Sequence, residues 1–112
     1  MDKRTQQHMA TNESAFRDVN EGIARGQWPG EQDALASFRC ECARLGCTDL
    51  IDLTPRNYDE VRTHPRRFVV LPGHETSDVE KVIERRDGYL VVEKVDEAGR
   101  LAEATDPRTD AN

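Results

Sequence analysis

The stretch FRCECARLGC, residues 38–47, holds Cys40, Cys42 and Cys47, all three cysteines of a 112-residue chain. Thiols gathered that closely can bind a metal as thiolates or exchange electrons as a redox pair. Cys40 and Cys42 are two apart in a segment of extended character, where side chains at i and i+2 leave the same face. Their sulfurs therefore point one way and Arg39 and Glu41 the other, and after the turn ARLG the chain returns so that Cys47 meets the first two. Thiolates held together repel unless a cation binds them, which Zn²⁺ does directly, and an odd cysteine count argues against a closed disulfide framework. A structural zinc site takes a fourth ligand. His74, just past the Pro72-Gly73 turn at the end of a strand, is the expected one, giving a Cys3His centre of Cys40, Cys42, Cys47 and His74.

The CxCxxxxC spacing departs from the common CxxC knuckle, so other readings stay open. His64, at the end of a helix beside Arg62, Arg66 and Arg67, is the rival fourth ligand, and a water or a carboxylate is another. His8, in a polar stretch, is expected in solvent. Glu75 beside His74 and Glu41 between the first two cysteines are candidates to support the ligands or, in an enzyme, to act as a base. The thiols also fit a redox pair, or plain buried packing. An iron–sulfur cluster fits less well, because it normally takes four cysteines at other spacings.

The elements that must position these groups follow from periodicity and turn chemistry. TNESAFRDVNEGIARG puts Phe16, Val19 and Ile23 on one helical face, with Thr11 or Asn12 as cap and Gly26 as stop. QWPGEQDA reads as a linker in which Trp28 packs over the domain's edge. LASFRCEC and TDLIDL form a hairpin around the cysteine turn. TPRNYDEVRTHP is a short helix capped by Thr54, opened by Pro55, carrying Tyr58 and Val61 on one face and ending before Pro65. RFVVLPG and YLVVEKV are strands, and EAGRLAEAT is a terminal helix. SDVEKVIERRDG is read as a helix capped by Ser77, with Val79, Val82 and Ile83 on one face, in preference to a hairpin turning at Asp87-Gly88. The expected fold is α+β: a small sheet of about four strands with flanking helices and a zinc-stapled hairpin. Residues 1–33 are then a tail, helix and linker, 34–105 the zinc-binding domain, and 106–112 a disordered tail.

Composition narrows the function. Hydrophobic and charged residues are nearly balanced at 36% and 34%, with a mean hydropathy of -0.82, so a small core gains from a metal staple. The longest apolar run is far short of the ~20 residues of a membrane span, and a cytoplasmic protein with reduced thiols is expected. A net charge of -6 and 5% aromatic residues disfavour phosphate tracking and base stacking, so nucleic acid is an unlikely partner. No HExxH, paired-carboxylate or HxE...PCxxC arrangement is present, and a metal closed by four protein ligands has no open position for chemistry. The expectation is a non-enzymatic regulatory or interaction module that touches another protein through Arg62, Arg66, Arg67, Arg85 and Arg86, unless these are ordinary solvated faces. A thiol and zinc redox switch is the alternative, followed by a zinc-dependent hydrolytic enzyme or a nucleic-acid binder.

CECARLGC, followed by IDLTPRNYDEVRTHPRRFVVLPGHE and YLVVEKV, resembles a family of small, stand-alone, largely uncharacterised actinobacterial proteins. Its members read CEC, four residues, C, then I-x-L-T, Y-x-x-V-R, P-x-R-F-x-V-x-P-G-H-E and Y-x-V-V-E-K. The likeness spans Phe38 to Val95, with Cys40, Glu41, Cys42 and Cys47 matching the first element and Pro72, Gly73, His74 and Glu75 the PGHE. It implies that the cysteines and His74 belong to one site, and it implies no particular activity.

Overall fold

Alternation around Phe38 on one side and Ile51 and Leu53 on the other makes β1 (Ala36–Arg39) and β2 (Leu50–Leu53) an antiparallel ribbon, with Phe38 opposite Ile51. The computed structural model of the chain describes residues 3–26, 28, 30–44 and 46–108, and the side chains of the first helix from Thr11 onward. Thr54 caps α2 (Pro55–Arg62) by accepting a hydrogen bond from the Asn57 N–H, and Pro55 fills the first turn, as the sequence predicts. A second antiparallel sheet has the order β3 (Arg67–Val70), β5 (Tyr89–Lys94), β4 (Glu80–Arg86), and α3 (Asp96–Ala104) follows it. The fold is α+β with five strands in two sheets, where about four in one were expected.

The extra strand is β4, in the segment read as a helix. Its apolar residues fail to alternate because Val82 pairs with Val92 and Glu84 with Val91, leaving Ile83 as a bulge that offsets the pattern by one. The hairpin to β5 turns through Asp87-Gly88, with Gly88 at φ +83, a conformation that costs a residue with a side chain. Ser77 caps nothing here. Instead the Thr76 N–H donates to Glu80 Oε1 at 2.7 Å, fixing the approach to β4.

The core lies between the sheets and helices and is built from Phe38, Ile51, Leu53, Tyr58, Val61, Phe68, Val69, Val70, Leu90, Val91, Val92 and Ala102. Phe38 and Tyr58 stack with centroids 4.7 Å apart, joining β1 to α2. Burying a side chain of that size stabilises by roughly 1.5 to 3 kcal/mol. The ribbon is tied to the second sheet where the Glu41 N–H donates to the Val69 carbonyl at 2.8 Å.

α1 (Lys3–Arg25) begins earlier than predicted, so Thr11 and Asn12 lie inside it rather than at its cap, and its buried face is polar. Glu13, Arg17, Asn20 and Glu21 face inward, at helical spacing, while Val19 is 46% exposed and Phe16 is only half-buried. Each inward group has a backbone or charge to meet. Arg17 donates to the carbonyls of Pro65 at 2.8 Å and Ala102 at 2.7 Å, with its guanidinium 4.2 Å above the Phe68 ring. Asn20 accepts from the Arg39 N–H at 2.7 Å and donates to the Arg39 carbonyl at 2.9 Å. Lys94 bridges Glu13 and Glu80. The helix is thus part of the folded body rather than an appendage before residue 34.

Two further expectations change. Trp28 is 75% exposed rather than packed over the domain's edge. Asp106, assigned to a disordered tail, is buried as the ion-pair partner of Arg62, while residues 109–112 lie outside the described residues.

Candidate metal centre

The two segments that carry the candidate ligands meet where the end of β1 passes the end of β3. Beyond Arg39 the chain stays extended for one more pairing, the Cys40 N–H donating to the Asp49 carbonyl at 3.1 Å, and this sends Cys40 and Cys42 to the same side. Gly46, at φ +77, sits in the return that brings Cys47 back, and the Cys47 N–H closes it on the Arg44 carbonyl at 3.3 Å. From the other segment, the His74 N–H donates to the Leu71 carbonyl at 2.9 Å across the Pro72-Gly73 turn, where Gly73 has φ +89. Arg44 clasps the two segments by donating to the Gly73 carbonyl at 2.7 Å.

The result is a cluster in which the donor atoms of Cys40, Cys42, Cys47 and His74 all lie within 4.8 Å of one another. His74 Nδ1 is 3.6 Å from Cys40 Sγ and 3.7 Å from Cys47 Sγ. Donors around a tetrahedral zinc with bonds near 2.3 Å stand about 3.5 to 3.8 Å apart, so these separations suit a metal, and the three cysteines are free thiols. Cys40 and Cys42 are each 1% exposed, whereas Cys47 and His74 form a half-buried rim. Burial pushes the Cys40 thiol well above the ordinary thiol range and raises that of Cys42, and Cys47 adds to the effect on both. A dication held by these four donors would supply the charge that makes thiolates stable there. The Leu71 N–H already donates to Cys40 Sγ at 3.3 Å, the kind of bond that supports a coordinating sulfur.

The remaining candidates separate cleanly. His64 is exposed two residues beyond α2 and is not in the cluster, so it does not supply the fourth donor. Glu75 is not in the cluster and accepts from the Gly73 N–H at 2.7 Å, supporting the turn that carries His74. Glu41 is fully buried on the opposite side of the chain from its two cysteine neighbours. Its Oε1 accepts from the Val69 N–H at 2.9 Å, and its Oε2 accepts from Asn20 Nδ2 at 2.9 Å and from the Tyr58 hydroxyl at 2.7 Å. Burial raises the Glu41 carboxyl against the pull of these donors. It anchors the link between Cys40 and Cys42 and is sealed off from solvent. Sequence reasoning missed Asp49, whose Oδ2 lies 3.7 Å from His74 Nε2; an acid two residues past the last cysteine was the available signal.

The five arginines offered as a contact surface stand in different surroundings. The Arg62 side chain is completely buried between Glu21 and Asp106, which removes it from any docking surface. Arg66 pairs with Glu103, Arg67 with Glu93 and Arg86 with Glu84, leaving Arg85 as an exposed side chain on β4. Among the described residues no helix is long and apolar enough to cross a membrane. Comparison with protein-family models, with curated proteins and with solved structures gives no match.

Proposed function

We propose that this is a small zinc protein of the cytoplasm, in which a Cys3His centre staples the β1–β2 ribbon to the end of β3 and the chain acts by touching another protein rather than by catalysis. The observation that carries the reading is the convergence of four good zinc donors from two segments 27 residues apart at their nearest, Cys47 and His74, within 4.8 Å. Four protein donors fill a tetrahedral zinc, so the metal stabilises the fold and polarises no substrate. Support for a contact role comes from apolar surface left in solvent, with Trp28 75%, Leu35 71% and Leu50 54% exposed. The actinobacterial resemblance agrees with a shared site for the cysteines and His74 and adds no activity.

The test is elemental analysis of protein purified under reducing conditions, with free thiols counted before and after chelation. About one zinc per chain, and three thiols released by the chelator, is the expected result. Metal-free protein with all thiols reactive from the start would sink the assignment. A second reading, a peroxide-sensitive switch, is favoured by the half-buried Cys47 at the rim; it predicts zinc release at low peroxide and recovery with a dithiol reductant.

A further inference from the structure

The geometry points to Asp49 as the residue that positions His74 for the metal, an inference that rests on the Cys3His reading. His74 divides its ring between two tasks. Nδ1 faces the sulfurs of Cys40 and Cys47, while Nε2 lies 3.7 Å from Asp49 Oδ2. An imidazole that gives one nitrogen's lone pair to a metal carries its proton on the other. A carboxylate beside that second nitrogen favours the tautomer protonated there and raises the basicity of the ligating nitrogen, and a short closing movement makes it a hydrogen-bond acceptor that fixes the ring.

Asp49 is tied to the site through its main chain as well, because its carbonyl accepts the Cys40 N–H at 3.1 Å. One residue therefore registers a ligand from each segment, Cys40 through its backbone and His74 through its side chain. The carboxylate stands outside the cluster of four donors. It approaches the ring at Nε2 at an ion-pair distance rather than a hydrogen-bond one, and it lies 3.9 Å from Cys47 Sγ. This is the placement of a support rather than of a ligand. With the Asp49 side chain 57% exposed, its effect belongs at the low end of the 10- to 100-fold range that such partners contribute to metal affinity.

The experiment measures Zn²⁺ and Co²⁺ affinity of the full chain by competition with a chelating dye, for the parent, Asp49→Ala, Asp49→Asn, Asp49→Glu and Asp52→Asn. Asp49→Ala should weaken binding about 10-fold, and Asp49→Asn, whose amide oxygen still accepts, should weaken it less. Asp49→Glu should recover part of the loss. Asp52→Asn, a neighbouring exposed carboxylate, should bind like the parent, and the thermal stability of the metal-free protein should be equal throughout. Parent-like affinity in Asp49→Ala overturns the proposal. So does a loss of metal-free stability large enough to account for the weaker binding, since Asp49 would then serve only the turn. Failure of the underlying Cys3His reading has a different signature: the parent itself binds neither metal.

Discussion

Cys42 and Cys47 have the same chemistry in different surroundings, the first sealed at 1% exposure and the second at the half-buried rim. Serine at either position removes a thiolate donor, so both variants should lose the bound metal on elemental analysis. They should part in the metal-free state. Cys42→Ser leaves a hydroxyl in a dry site and should lower the chelated protein's stability by about 1 to 3 kcal/mol in a denaturant titration, while Cys47→Ser should leave it nearly unchanged. Equal costs for the two would mean that burial does not distinguish them. The convergence of these cysteines was legible in the sequence because a two-residue spacing in extended chain fixes a common face, whatever the tertiary structure does. The roles of Asp49 and Glu41 were not. Glu41 is an acid between two cysteines in the sequence, and only the approach of Asn20, Tyr58 and Val69 from three other elements makes it a buried anchor.

Elements were read well where local signals act alone and badly where the partner decides. α2 carries its own cap and opening proline, and the two valine-rich strands carry their own composition, so each lies where the sequence puts it. β4 hides behind a bulge, and its pairing with β5 rather than its own pattern makes it a strand. α1 was expected to bury an apolar stripe, but it docks through groups that satisfy backbone carbonyls and charges, a match that no periodicity of hydrophobic residues reveals. This makes α1 unusually sensitive to polar truncation. Asn20→Ala strips a partner from Glu41 and from both backbone groups of Arg39, and should cost about 1 to 3 kcal/mol. Amide hydrogen exchange in α1 should accelerate along with it; a variant with parent stability and parent exchange would show that this docking is incidental.

At the scale of the whole molecule, the cluster of Glu13, Glu80 and Lys94 couples folding to pH. Two carboxylates share one ammonium, with the Arg17 guanidinium as the further charge facing Glu13. Burial outweighs the attraction of Lys94 and pushes the Glu13 carboxyl up to about 7, from an ordinary value near 4.5. A carboxyl with a raised folded pKa binds its proton more tightly in the native state, so stability falls as pH rises from about 4.5 to about 7 and then levels off. The full penalty is on the order of 3 kcal/mol. Glu13→Gln mimics the protonated form and leaves Lys94 paired with Glu80. Its stability relative to the parent should therefore rise between pH 5 and pH 8, and the difference isolates Glu13 from proton competition at the thiols. A constant difference across that range would show that Glu13 stays ionised in the folded protein.

The contacts of α1 also impose an order of events on synthesis. Besides its contacts with β1 and with the chain around Pro65, the helix meets groups 81 to 91 residues further along: Ser14 meets Thr105, Arg17 meets Ala102, Glu13 meets Lys94 and Glu21 meets Arg108. α1 is synthesised before these partners and thus completes this part of its seat only when they have followed. During that interval an apolar helix would invite aggregation, whereas one whose inner face is Glu13, Arg17, Asn20 and Glu21 waits in water at little cost. Closure of the fold is then the meeting of α1 with α3, and the polarity that looks expensive in the finished protein keeps the nascent chain apart from its neighbours until then.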